Sequence, residues 1–282
     1  NTEKELREAI EDGGEVVVTG DITLEDDTPF VITENVILKS DDGKEVTINT
    51  AAATDAFTVN SGAELTLGEG ITVTSSTSIL YANGGTINIE GAVLTADAPR
   101  YALAFAEGTG VINVITGTVK TTSGDKVTID AEGSNAKVNV INGVVESAES
   151  TAITVRDNAV LTVDGGTVES KSSSMVAIHA HGGKAVVANG TVKSGFNTIC
   201  SEGGTVEIEG GTIISTGGKA VYAHQGAALE VKGGTFSDES AGEYLADGYM
   251  VEANGAMFKV VSDGINTEKE LREAIEDGGE VV

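Results

Sequence analysis

The chain of 282 residues has no tryptophan, two prolines and one cysteine, Cys200. A lone cysteine excludes an internal disulfide framework and any four-cysteine zinc centre. Basic residues are scarce: 17 Lys and Arg face 44 Asp and Glu, a formal charge of −27 spread along the chain. Nucleic acid and anionic membrane are therefore poor partners. No apolar run approaches the ~18 residues of a membrane span, and Asn1 opens no signal-peptide pattern. The expectation is a soluble segment of something larger. Disorder is excluded by the 40% of residues that are hydrophobic. What the chain has in excess is glycine, 37 residues, close to twice the usual ~7% share.

The sequence repeats itself at two scales. Residues 1–17, NTEKELREAIEDGGEVV, recur without change at residues 266–282. Either a unit spanning 1–265 recurs in tandem, or a second copy of the first segment has been appended; the tandem array is the preferred reading. The copied segment carries a helix signature over 2–12: Thr2 and Glu5 form a capping-box pattern, Leu6, Ala9 and Ile10 an apolar stripe, and Gly13–Gly14 a stop. The second copy would place Leu271, Ala274 and Ile275 on the same stripe of a helix over 267–277.

Within the unit, short segments end at a glycine corner and resume on a β-branched residue. The corners are Gly91, Gly117, Gly143, Gly166, Gly190, Gly211 and Gly234, spaced 26, 26, 23, 24, 21 and 23 residues apart. Repeats of that length indicate a solenoid. Each period holds three pieces with two-residue alternation. The first aligns Leu103, Val127, Ile153, Ile178, Ile199 and Val221, then Phe105, Ile129, Val155, Ala180, Ser201 and Ala223. The second aligns Ile89, Val114, Val140, Val163, Val187, Ile208 and Val231. The third aligns Val93, Val119, Val145, Val168, Val192, Ile213 and Phe236. All are expected to point inward, so three parallel sheets wind around one apolar core. With coils about 4.8 Å apart, roughly ten of them make a rod of roughly 50 Å.

Three-strand coils, an amphipathic helix before the first coil and glycine corners together resemble the right-handed parallel β-helix of pectin-lyase-like proteins. The stretch GGTFSDESAGEYLADGYMVEANGAMFKV is similar to the segment that closes such domains in large bacterial cell-surface proteins. The resemblance implies an all-β fold and an extracellular location, but no single chemistry, since this fold hosts lyases, hydrolases, adhesins and stalks. A polygalacturonase-like site would show Asn-Thr-Asp, Asp-Asp, Gly-His-Gly and Arg-Ile-Lys in order, and that order is absent. The pairs Asp26–Asp27 and Asp41–Asp42 read as solvated turns. A pectate-lyase-like site would need a basic residue beside an acidic calcium cluster. Of the arginines in the unit, Arg7, Arg100 and Arg156, only Arg156 stands in the stacked register.

Outward positions of the first piece gather the chemistry. One column runs Asp130, Arg156, His181, Glu202, His224, and its neighbour runs Thr128, Thr154, His179, Cys200, Tyr222. All three histidines and the cysteine thus share one face. His179, His181, Cys200, Glu202 and His224 could hold a divalent metal, and Arg156, His181, Glu202 and His224 could serve acid and base chemistry. The other reading is a surface ladder of alternating charge. Lys120, Glu146, Glu169 and Lys193, and the amides Asn88, Asn113 and Asn139, read as solvated ladders. Tyr81, Tyr101 and Tyr222 are the aromatic candidates for a glycan platform, with Tyr81 read as a packed rim residue.

A solenoid must also close its ends, which expose strand edges and an open core. The helix at 2–12 closes one, and its repeat would lie between one solenoid and the next, after a last coil strand at 257–261. The sequence therefore points to a structural or adhesive repeat of a bacterial surface protein, stacking end to end with identical units, with a glycan or host surface as a possible ligand. The alternative is a polysaccharide lyase or glycoside hydrolase acting on acidic glycans.

Overall fold

The computed structural model describes residues 2–42, 44–50 and 55–263. Over them the chain winds as a right-handed parallel β-helix. Each coil gives a short strand to each of three columns. The first column is a nine-stranded sheet from Phe30–Ile32 to Val221–Ala223. The second runs from Gly14–Val18 to Ala228–Val231, and the third from Ile22–Thr23 to Thr235–Phe236. The first column sets the count at nine full coils, close to the expected ten. Columns two and three merge where Val160–Ser170 and Lys184–Ser194 pass through the corner as single strands.

Two-residue alternation explains the winding, because it sends every second side chain inward at each coil. In the second column the seven expected residues, Ile89 to Val231, stack in register and are fully buried. The third column holds from Val119 to Phe236. Its first member is Leu94, not Val93: Val93 pairs with Thr118 and is 40% exposed. Where two apolar residues adjoin, alternation does not say which faces in, and a one-residue slip turns the strand over.

The first column departs further. From Ile153 to Val221 and from Val155 to Ala223 the stacking is as expected. One coil earlier, Ile129 and Ala131 occupy those positions, and Val127 faces Ala102. Phe105, expected inward, stands beside Asp130 and stacks on Tyr81 at 5.7 Å, while Ala104 and Ala106 turn inward. The displacement follows from Thr128, a polar residue buried in the interior. Its hydroxyl donates to the Glu146 carbonyl at 2.9 Å and lies 2.9 Å from Thr121 Oγ1. Satisfied in this way, a threonine costs the core little.

Thr128 meets a ladder of hydroxyls that alternation sends inward, two residues after the apolar members of the third column. Thr121, Ser147, Ser170, Ser194 and Ser215 stack at the end of the third column. The Ser170, Ser194 and Ser215 hydroxyls donate to the carbonyls of Ser150, Met175 and Phe196 at 2.7, 3.0 and 2.7 Å. They tie down the loop that carries the chain into the first column. At the opposite corner glycine is required: Gly166 has φ 66°, and a Cβ there would lie 2.1 Å from the Gly143 carbonyl oxygen. Outside, Asn139 donates to Asn113, and Asn113 to Asn88, at 2.8 and 2.7 Å, the expected amide ladder.

Helix α1 (Glu3–Asp12) closes the N-terminal end. Thr2 and Glu5 form both arms of the capping box, at 2.8 and 3.3 Å, and Leu6 and Ile10 are buried, with Ala9 packed beside them. Arg7 pairs with Glu3 at 2.7 Å, donates to the Thr28 carbonyl at 3.0 Å and lies over the Phe30 ring, stitching the helix to the first coil. Asp26 accepts from the Thr28 amide at 2.9 Å, the turn expected of that acidic pair.

The other end differs from expectation. Met257–Ser262 is not a coil strand: it runs antiparallel to Thr235–Phe236 and forms a hairpin with Tyr249–Asn254 through a turn at Gly255. A short 3-10 helix, Glu239–Tyr244, leads into it. Leu271, Ala274 and Ile275, with the helix expected over 267–277, lie outside the described residues.

Candidate functional site

The outer face of the first column carries the candidate residues, on the strands Ile153–Arg156, Ile178–His181, Ile199–Glu202 and Val221–Ala223. Ile178 and Ala180 anchor their strand in the core, so His179 and His181 must both face out. Ala180 pairs with Ser201 and His179 with Cys200, which sets Glu202 beside His181 on the next coil and diagonal to His179.

The Glu202 carboxylate reaches both imidazoles. Its Oε2 lies 3.0 Å from His179 Nε2 and 3.5 Å from His181 Nδ1. One ligand atom from each of the three residues falls within 4.8 Å of the other two. Burial holds the His179 ring below the usual imidazole range, against the pull of Glu202, so the ring is neutral at neutral pH. The hydrogen bond with His179 holds Glu202 below the usual carboxylate range and keeps it ionised. His181 and Glu202 are open to solvent, with side chains 56% and 44% exposed.

The other candidates divide. His224 follows Ala223, whose partner is Ser201, and so sits one coil beyond Glu202; its ring meets the edge of Tyr222 at 5.1 Å. Cys200 is buried, and burial, with Glu202 adding, pushes its thiol up to about 11. It does not stand among the residues whose ligand atoms converge, which are His179, His181 and Glu202. Arg156 pairs with Asp130 at 2.7 Å, as expected. Its register partner, however, is Glu132; Asp130 faces Thr154, displacing the expected columns by two residues.

No family, curated protein or solved structure matches the chain.

The remaining surface features include ion pairs, aromatic contacts and one concavity. Glu146 pairs with Lys120 at 2.9 Å and Lys171 at 2.8 Å, and Lys193 with Glu169 at 2.9 Å. Tyr81 is packed against Phe105 and donates to Glu107, the rim role expected for it. Tyr101 is 68% exposed, with Arg100 over its ring at 5.1 Å. A concavity of about 820 Å³ lies elsewhere, at the corner of columns two and three, lined by Lys39, Glu69, Glu90 and Ile115 among others. Among the described residues no helix is long and apolar enough to cross a membrane.

The Arg7 clamp was missed by sequence reasoning. The Glu3–Arg7 spacing of four residues on a helix was the available signal, but the Phe30 and Thr28 partners depend on the fold.

Proposed function

We propose that residues 1–265 form one structural or adhesive unit of a bacterial extracellular stalk or filament, joined end to end with identical units. The observation that carries this reading is the role of the repeated segment. Residues 1–17 recur at 266–282, and the first copy is a cap: Leu6 and Ile10 bury against the opening coil. A sequence with that job has a use where another solenoid core begins. The 257–262 strand, antiparallel to the last coil, closes the preceding core by separate means. A charge of −27 keeps such rods soluble and mutually repelling. The resemblance to pectin-lyase-like domains of surface proteins supports the location.

The test is X-ray scattering from a chain carrying residues 1–265 twice in succession. The reading expects a maximum dimension close to twice that of one unit. Two units folded side by side would overturn it.

A second reading, a lyase or hydrolase acting on acidic glycans, draws on the His179, His181 and Glu202 cluster. Incubation with polygalacturonate is expected to give neither unsaturated products nor new reducing ends. Turnover that His181→Ala abolishes would reverse the order of the two readings.

A further inference from the structure

The geometry points to a transition-metal site on the outer face of the first column, in which His179, His181 and Glu202 hold one divalent ion of the zinc type. We infer it from spacing, donor chemistry and support. Zinc binds imidazole nitrogen and carboxylate oxygen at about 2.0–2.2 Å, which sets ligand atoms in a tetrahedral shell roughly 3.3–3.6 Å apart. Of the observed separations from Glu202 Oε2, 3.5 Å falls within that range and 3.0 Å just below it, so small side-chain rotations suffice. Two imidazoles and one carboxylate select zinc, copper, nickel or cobalt over magnesium or calcium, which prefer oxygen alone.

The backbone is already organised for such a site. His179 and His181 are two residues apart on one strand, and Glu202 is on the strand paired with it. Both strands are pinned by fully buried Ile178, Ala180, Ile199 and Ser201, so binding freezes only side-chain torsions. Arg156, which lies on the preceding coil opposite Gly182, is drawn toward Asp130. Three protein ligands on an exposed face leave a coordination position for water or an external donor. Such an ion would also cross-link neighbouring coils.

The test is calorimetric titration of the full chain, without affinity-tag histidines, with zinc chloride. One zinc per chain is expected. Affinity should fall at least about tenfold in His179→Ala, in His181→Ala and in the near-isosteric Glu202→Gln, with unchanged circular dichroism confirming the fold. Cys200→Ser and His224→Ala should still bind one equivalent. Cobalt should give visible d–d bands without the intense thiolate charge-transfer band that ligation by Cys200 would bring. Absence of stoichiometric zinc, binding that survives both histidine variants, or loss in Cys200→Ser would each overturn the site.

Discussion

Asp130 shows how much a single side chain depends on the coils around it. It is buried, one oxygen accepts from Arg156 at 2.7 Å, and the other, Oδ1, has no hydrogen-bond partner. Burial pushes its carboxyl from 3.8 up to about 6, against the pull of Arg156. The folded state therefore holds this proton more tightly than the unfolded chain does. Its contribution to stability falls as pH rises from about 4 to about 6. Asp130→Asn should remove that slope: the difference in unfolding free energy between variant and native chain is expected to shift in the variant's favour across this window, read by urea denaturation at pH 4.5 and 7. A constant difference would contradict the assignment. The pairing of Asp130 with Arg156 was legible from charge alternation, but its register was not. The expected register places Thr128 outward, one residue from where the structure sets it. It turns inward because the Glu146 carbonyl accepts its hydroxyl, as the carbonyls of Ser150 and Met175 accept those of Ser170 and Ser194, and these partners come from elsewhere in the coils.

At the scale of elements, the two ends differ in how far sequence reaches. Helix α1 announces itself locally: Thr2, Glu5, Leu6, Ile10 and Gly13 are a complete set of start, stripe and stop signals, and the observed helix has the expected caps. Leu6→Ala removes a side chain only 2% exposed. It should cost about 2–3 kcal/mol, the lower part of the usual range because a terminal helix can relax. Urea unfolding measures the loss, and hydrogen exchange should show the strand Gly14–Val18 losing protection first. An unchanged midpoint would mean that the helix does not cover the core. The stretch holding the 249–262 hairpin resembles a closing segment, but its antiparallel pairing was illegible, because alternation reads alike for parallel and antiparallel strands. Asn254–Gly255 is the usual hairpin signal, yet glycine corners recur throughout this chain and hid it. The His179, His181 and Glu202 face stood between these cases. Its strands from Ile153 onward keep the period without interruption, so the cluster could be read before the structure, while the burial of Cys200 could not.

For the whole molecule, the inner columns of β-branched residues dictate a rod, and the repeated segment is the ground for the use proposed for it. A parallel solenoid has no natural end, so each stop must be written into the sequence. Here the sequence that forms the N-terminal stop at 1–17 recurs at 266–282. The central claim is that these two stops belong to successive solenoids of one polypeptide. The most direct measurement is the denatured mass of that polypeptide as its source organism makes it. The account predicts a mass several times the 28.6 kDa of this chain. A mass near 28.6 kDa would contradict a tandem array.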